Sequence, residues 1–220
     1  MAPETRAQID TPRRLLEAAG EVFAEHGFRG ATIRDICGRA GVNIAAVNYH
    51  FGDKERLYAA ALQYGYEQAL AKYPPDLDLG PNPTPEARLG AFVRAFLLRI
   101  LDPERPAWHG RLCYREMAEP TAALGSMVDG AIRPHLALLG EIVGDILGPA
   151  AGEESTFFCS LSVIGQCLHY FFGRPVIERV APHLAFTQAD IERIARHVTR
   201  FSLAALRAIA AESREGPCTA

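Results

Sequence analysis

The sequence predicts an all-α protein in which a short N-terminal three-helix domain is joined to a larger helical bundle. Apolar residues recur at helical spacing in nearly every segment, as at Leu15, Ala19, Val22 and Phe23. The alternating pattern that is typical of a β-strand is nearly absent. Between residues 73 and 85, five prolines in thirteen residues exclude a helix interior and indicate a linker.

The first helix is predicted to begin at Thr11, whose hydroxyl can cap it, with Pro12 in the first turn. Gly27 can end this helix, because glycine accepts the left-handed conformation that follows a last helical turn. Phe28 is then placed to pack on Phe23. The pattern therefore predicts an amphipathic helix with one buried face.

Two shorter helices follow, from Thr32 onward. Thr32 can cap the first of them, with the Asp35 carboxylate three residues on. Gly41 can end that helix, and Asn43 can cap the next one at once. A helix that ends and restarts within two residues forces the two axes to cross sharply, which is helix-turn-helix geometry.

The second helix of this pair, Asn43 to Phe51, is polar and almost uncharged. Val47 and Phe51 can face the core, which directs the remaining side chains outward or sideways. Asn48 can pair with an adenine edge, and Ile44 or Ala45 can touch a thymine methyl group. The predicted DNA-contacting residues are Thr32, Arg34, Asn43, Ile44, Ala45, Asn48, Tyr49, His50 and Lys54. The alternative is an ordinary αα-hairpin inside a bundle.

The stretch from residue 23 to residue 57 resembles the N-terminal domain of TetR-family transcriptional regulators. The matching residues are Phe23, Gly27, Thr32, Ala40-Gly41-Val42, Tyr49-His50-Phe51, Lys54 and Leu57. Asn43 and Asn48 depart from the commonest family pattern. The phrases Arg115-Glu116, Glu119-Pro120 and Ile164-Gly165-Gln166 resemble a subgroup whose C-terminal domain is of the CecR (CerR-like) type. The resemblance implies a DNA-binding regulator whose larger domain binds an effector and dimerises.

The sequence predicts two domains. Residues 1–56 are expected to bind DNA, and residues 57–220 are expected to bind the effector and to dimerise. A fourth helix, from about residue 53, connects them. Beyond the linker, Thr84 can cap a strongly apolar helix. Further helices are predicted from about Trp108 to Ala118, from Pro120 to Leu147, from about Glu153 to Phe172, and from Thr187 to about Ala211.

The last two of these helices are more apolar than a single-chain bundle requires. The resemblance implies that they form a four-helix interface between two copies of the chain. The predicted interface residues are Phe157, Leu161, Ile164, Leu168, Ile194, Val198, Phe201 and Leu206. The alternative is that they are inner core helices.

An effector pocket in a helical bundle is expected to be mostly apolar with a few converging polar groups. The candidates by sequence are His109, Arg111, Tyr114, Glu116, Gln166, His169, Tyr170 and Phe172. Arg115 and Glu116 are alternatively a structural ion pair. The effector class suggested by the family is a small apolar or aromatic molecule. A metal sensor using Cys113, His109, Cys167 and His169 is a weaker alternative. His109 and Cys113 are four residues apart on a helix, but Cys167 and His169 are two apart and therefore diverge.

The charge balance excludes a non-specific nucleic-acid binder. Residues 1–60 carry eight basic and eight acidic side chains, and the whole chain has a net charge of −3. Sequence-specific binding would depend on a few contacts and on two copies acting together. Arg13 and Arg14 are either phosphate contacts or solvated charges.

Other function classes are disfavoured by missing motifs. No glycine-rich phosphate loop appears, and Ser160 and Ser162 lack a base at useful spacing, so no catalytic residue and no cofactor are predicted. Five cysteines without CxxC spacing favour reduced, buried thiols in a cytoplasm. The prediction is a homodimeric repressor released from palindromic operator DNA by its effector. A protein-interaction module and an activator remain open.

Overall fold

The computed structural model describes residues 6–215, with side chains from residue 11 to residue 214, and these residues form helices and connecting loops. The helices are α1 (Arg6–Gly30), α2 (Ile33–Ala40), α3 (Ala45–His50), α4 (Lys54–Lys72), α5 (Pro85–Leu101), α6 (Ala107–Ala118), α7 (Ala123–Met127), α8 (Arg133–Leu147), α9 (Glu153–Phe172), α10 (Arg174–Val180) and α11 (Gln188–Glu215), with a π-helical turn at Val128–Ile132. The predicted all-α class is confirmed.

The chain divides into two compact units that do not follow the linear order of the sequence. Residues 6–68 and 106–132 form the first unit, and residues 69–105 and 133–215 form the second. Helices α6 and α7 therefore belong to the same unit as the helix-turn-helix, although they lie within the effector domain predicted from the sequence. The functional boundary at 56/57 stays a prediction.

The core of the first unit lies between α1, α2, α4 and α6. Leu15, Phe23, Ile36 and Leu57 are fully enclosed. Trp108 of α6 joins this core with 6% of its surface exposed. Burial of these side chains supplies the main stabilisation of the unit, at roughly 1.5–3 kcal/mol for each fully buried large apolar side chain.

Gly20 on α1 allows the indole ring of Trp108 to approach the helix backbone. A methyl group added at Gly20 would lie 2.4 Å from Cε3 of Trp108. We therefore expect Gly20→Ala to lower the free energy of unfolding by about 1–3 kcal/mol, because the ring must move out of its packed position. Urea denaturation followed by circular dichroism measures this change.

Gly38→Ala is the matched control for that substitution. Gly38 also lies inside a helix of the first unit, but a methyl group there meets nothing within 4 Å. Alanine at Gly38 should leave stability unchanged or raise it by about 0.5–1 kcal/mol, as expected from helix propensity. Equal losses for both variants would contradict the packing role assigned to Gly20.

The core of the second unit is formed by α5, α8, α9 and α11. Leu89, Phe92, Leu139 and Val198 are each at most 1% exposed. Helix α11 begins as predicted, since Thr187 and Asp190 satisfy one another: the Asp190 amide donates to Thr187 Oγ1 at 3.2 Å, and the Thr187 amide donates to Asp190 Oδ2 at 3.0 Å.

Three predicted helix boundaries are wrong. Helix α1 begins at Arg6, so Thr11 and Pro12 lie inside it. The helix expected from Pro120 to Leu147 begins at Ala123 and is divided by the π-helical turn at Val128–Ile132. Helix α11 continues beyond Ala211 to Glu215. Helix α10 was not predicted; it carries Pro175 in its first turn, where the missing amide hydrogen costs no helical bond.

The cysteines of the described residues are free thiols. Cys37, Cys159 and Cys167 are buried, and burial raises the pKa of Cys167 to about 12. These three behave as small apolar core residues. Cys113 is half-buried, and Cys218 lies outside the described residues. Within residues 6–215, no helix has the length and apolar character needed to span a membrane.

Candidate nucleic-acid interface and ligand-responsive region

The helix-turn-helix is built by local hydrogen bonds, and the predicted cap of α2 at Thr32 is confirmed. The Asp35 amide donates to Thr32 Oγ1 at 3.1 Å, and the Thr32 hydroxyl donates to Asp35 Oδ2 at 2.6 Å. Gly41 ends α2 in the left-handed conformation, with a φ of 65°. Helix α3 begins at Ala45 with Ile44 as its N-cap residue, so the predicted cap at Asn43 is wrong. Asn43 lies in the preceding turn, where its side-chain oxygen accepts from the Ala45 amide at 3.1 Å.

Helix α3 is held to the core by one side and presents the other to solvent. Val47 is fully buried, whereas Tyr49 is 82% exposed and Ile44 is 45% exposed. Ala45 and Asn48 are also exposed. An exposed isoleucine and tyrosine on a six-residue helix leave apolar surface uncovered by the chain itself, as expected of a helix that enters a DNA groove.

The remaining predicted DNA-contacting residues differ in solvent exposure and in the contacts they already make within the chain. Thr32, Arg34 and Asn43 are exposed, and His50 is half-buried with its ring 4.8 Å from that of Tyr49. Lys54 has a structural contact as well, since Nζ lies 4.8 Å above the Phe28 ring. The predicted DNA-contacting residues that are exposed are thus Thr32, Arg34, Asn43, Ile44, Ala45, Asn48 and Tyr49.

Two arginines of this unit are occupied by its own structure. Arg14 donates to the carbonyl oxygen of Ala40, at the C-terminal end of α2. Arg39 binds Glu25 through two hydrogen bonds of 2.8 Å each. Of the two interpretations offered for Arg14, phosphate contact and solvated charge, neither describes this carbonyl contact. Both arginines support the position of α2 against α1.

Glu116, one of the predicted effector residues, already has hydrogen-bond partners within the first unit. It is fully buried, and Tyr58 donates to Oε2 at 2.9 Å while the Thr121 amide donates to Oε1 at 2.9 Å. Burial, together with the bond to Glu116, raises the pKa of the Tyr58 hydroxyl well above its ordinary value. Both carboxylate oxygens are thus engaged inside the first unit, so Glu116 has a structural role, and its role as an effector contact stays a prediction.

Arg115 does not pair with Glu116. Its Nε donates to the Ala24 carbonyl oxygen at 3.1 Å, and a terminal nitrogen donates to the Glu25 carbonyl oxygen at 3.3 Å. These carbonyls belong to the last turns of α1 before Gly27, whose φ of 73° interrupts the helical backbone. Arg115 therefore fastens α6 to the C-terminal part of α1.

The other α6 candidates are more accessible. Arg111 is exposed and Tyr114 is 51% exposed, so both can meet a ligand. His109 is half-buried, its ring lies against α4 at Gly65, and Nε2 is 3.4 Å from Cys113 Sγ. The close approach of ring and helix depends on the missing side chain at Gly65.

The α9 candidates lie in the second unit. Gln166 donates to Ser202 Oγ of α11 at 3.2 Å, and Tyr170 is half-buried. His169 is exposed, and Phe172 is 39% exposed. Phe172 lies on the same stripe of α9 as Phe157 and Leu161, at spacings of four and eleven residues, and therefore suits an interface as well as a ligand.

The predicted dimer residues separate into two groups. Phe157, Leu161 and Phe201 are 48%, 42% and 59% exposed, and Ile164 and Leu168 are half-buried. Ile194, Val198 and Leu206 are at most 5% exposed in the unit's own core, which favours the alternative that they are inner core residues. Phe158, which is 57% exposed, is not among the predicted interface residues; its position beside Phe157 on an already apolar helix was the available signal.

Metal binding receives no support from geometry. Among the residues that the structure describes, no group of three or more histidine, cysteine, aspartate or glutamate side chains is arranged to hold a metal ion. His109 and Cys113 form a close pair in the first unit, while Cys167 is buried in the second. A pair alone does not complete a tetrahedral site.

Comparisons with known proteins bear on both parts of the chain. Residues 15–61 match the family of bacterial regulatory proteins of the tetR type. Residues 85–206 match the C-terminal domain of the HTH-type transcriptional dual regulator CecR. The dual regulator CecR of Shigella flexneri is 28% identical over 198 residues, which are 85% of this chain and 87% of CecR.

Solved structures share the fold. The fatty acid degradation regulator FadR of Bacillus halodurans superposes with a TM-score of 0.68 at 17% identity, over 94% of this chain and 99% of FadR. FadR of Bacillus subtilis, solved with stearoyl-CoA, gives a TM-score of 0.67 at 13% identity, over 87% and 97% of the two chains. Because the first family match contains the helix-turn-helix and the second spans more than half of the chain, the protein belongs to the TetR family of DNA-binding transcriptional regulators and has a C-terminal domain of the CecR type.

Proposed function

We propose that the protein is a homodimeric repressor that binds a roughly palindromic operator and is released by a small apolar or aromatic effector. The observation that carries the proposal is α3, where Val47 is enclosed while Asn48 and Tyr49 face solvent. These side chains suit an adenine edge and a phosphate oxygen. The four free thiols among the described residues support a cytoplasmic location, in the compartment that holds operator DNA.

Two copies of the chain are needed for selectivity. One six-residue helix contacts only a few base pairs, whereas two copies separated by one helical turn, about 34–36 Å, read two half-sites together. TetR-family regulators bind operator DNA and dimerise. We propose that the dimer forms through the exposed residues Phe157, Phe158, Leu161 and Phe201 of α9 and α11, with Phe172 continuing the stripe.

A charge on this surface should separate the two copies. We expect Phe201→Glu to convert the dimer to a monomer at micromolar concentration, because each copy would place a carboxylate in an apolar interface. Analytical ultracentrifugation measures the mass, and operator affinity should fall with dimerisation. Val180→Glu on α10 is the control, since Val180 is 76% exposed and lies outside the proposed interface. A Phe201→Glu dimer of unchanged stability would place the interface elsewhere.

Effector release requires that the ligand prefer a DNA-incompetent state. Helix α4 follows the reading helix directly, and Arg115 links α6 to α1 in the first unit. A ligand that shifts α6 can therefore change the position of α1 within the first unit. The stearoyl-CoA in the structure of B. subtilis FadR supports an effector with a long apolar part. The candidate contacts are His109, Arg111, Tyr114, Glu116, Gln166, His169, Tyr170 and Phe172.

Fluorescence anisotropy with DNA from upstream of the protein's own gene tests the proposal. We expect saturable binding of dimers to a short inverted repeat, which survives excess competitor DNA and weakens with rising salt. A scrambled repeat is the matched control. If no dimer-dependent binding appears there, selection from random duplexes finds the preferred site. Absence of any selected sequence would favour a protein-interaction module over a DNA reader.

Activation is the second candidate mode. The similar protein CecR is named a transcriptional dual regulator, which supports activation as a second mode. The same operator contact represses or activates according to its position relative to the promoter. A reporter fused to the native promoter, compared in cells with and without the regulator gene, distinguishes the two signs.

A further inference from the structure

A groove of about 500 Å³ lies between α5 and α11 in the second unit. Its floor is made of small or apolar groups, including Gly90, Ala195 and Leu203. Ala195 is 3% exposed and Leu203 packs against the core, so this floor is anchored to the interior of the unit. The volume falls within the range of roughly 300–1,000 Å³ that is usual for small-molecule sites.

The walls of the groove are strongly basic. Arg94, Arg196, Arg200 and Arg207 line it, opposed by Glu192 as the acidic residue among the lining groups. Arg196, Arg200 and Arg207 follow one another along α11 over roughly 16 Å at 1.5 Å per residue. The complete chain has a net charge of −3, so this concentration of arginine does not reflect the general composition.

The groove arginines differ in how they are engaged. Arg94 is fixed by Asp78 and Glu192 through bonds of 2.7 Å, and Arg207 lies 3.6 Å from Glu86. Arg196 and Arg200 are exposed, and within residues 11–214 neither has a carboxylate partner. They lie four residues apart, so both guanidinium groups can reach the same anion.

We propose that this groove binds a small amphiphilic anion, with a carboxylate or phosphate head on Arg196 and Arg200 and an apolar body along the floor. The planar guanidinium group pairs with such heads through two parallel hydrogen bonds. The apolar body covers Leu203 and the exposed Ala204, which the solvated arginines leave in contact with water. The basic walls and the apolar floor of the groove together suit a ligand that has both an anionic head and an apolar body.

This site is separate from the effector residues considered above, which lie on α6 and α9. It involves α5 and the side of α11 that carries Arg196 and Arg200, rather than the exposed apolar stripe of α9. Binding can be measured on the protein without DNA. Anion binding is therefore tested separately from operator binding, and the result of one measurement does not depend on the other.

Isothermal titration calorimetry with decanoate, decyl phosphate and neutral decanol tests the proposal. We expect both anions to bind, and decanol to bind at least about tenfold more weakly, because it lacks the charged head. In the double variant Arg196→Gln/Arg200→Gln, the affinity for the anions should fall by at least about tenfold. Arg193→Gln/Arg214→Gln removes the same charge from α11 outside the groove lining and should leave binding unchanged.

A second variant tests the floor of the groove without removing charge. A methyl group at Gly90 meets Thr199 Cγ2 at an ordinary 3.6 Å, so Gly90→Leu should fold and place its side chain in the groove. Its control is Gly140→Leu on α8, where nothing lies within 4 Å. Gly90→Leu should weaken anion binding, and its control should not. The proposal is overturned if neither anion binds, if decanol binds equally well, or if the groove variants bind like the wild type.

Discussion

The double variant Asn48→Ala/Tyr49→Ala is expected to bind operator DNA at least about 100-fold more weakly than the wild type. A base contact by asparagine contributes about 1–3 kcal/mol to discrimination, and a dimer loses it in both half-sites. Tyr49 is 82% exposed, so its removal takes no packing from the core. Thermal unfolding should therefore stay unchanged while the affinity measured by fluorescence anisotropy falls.

Two comparisons sharpen this result. Tyr114→Ala removes an exposed tyrosine from α6 of the same unit and should leave DNA affinity unchanged. Lys54→Ala is a poorer probe, since Nζ also lies over the Phe28 ring and its loss changes stability together with binding. Unchanged affinity in a folded Asn48→Ala/Tyr49→Ala dimer would contradict the assignment of α3 as the reading helix.

Glu116→Ala is expected to lower the free energy of unfolding by about 2–5 kcal/mol. The substitution leaves the Tyr58 hydroxyl and the Thr121 amide in a buried site without their acceptor. Each unsatisfied buried donor costs about 1–3 kcal/mol. Tyr58→Phe removes one hydrogen bond and keeps the bond from Thr121, so its loss should be smaller, at about 1 kcal/mol.

Urea denaturation measures both variants, with Glu119→Ala as the control for loss of a glutamate from the same region. Glu119 is exposed at the end of α6, and its removal should change stability by less than about 0.5 kcal/mol. If Glu116→Ala is as stable as the wild type and no longer responds to the effector, Glu116 belongs to the effector site after all.

The helix-turn-helix could be predicted nearly completely from the sequence because its determinants are local. The bonds between Thr32 and Asp35 and between Asn43 and Ala45 span two or three residues. Gly41 is needed for the positive φ at the end of α2. The apolar spacing also predicted that Val47 faces inward while Asn48 faces solvent.

The sequence does not show which residues of an apolar or charged helix face their own bundle and which face outward. Helical periodicity places Val198 and Phe201 on an apolar helix, but it does not tell that Val198 is 1% exposed and Phe201 is 59% exposed. Which side of α11 meets its own bundle depends on the neighbouring helices. The basic groove likewise requires α5 beside α11 before its arginines form one site.

By itself, the sequence determined the helical class, most helix boundaries, the turn between α2 and α3, and the resemblance to a family of regulators. Only the tertiary structure decided the partners of Arg115 and Glu116, since these partners lie 91 and 58 positions away in the chain. A cap depends on backbone groups within one helical turn and is therefore visible in a short sequence. A buried polar group must be satisfied by whatever the fold brings next to it, and that neighbour is set by the packing of the whole unit.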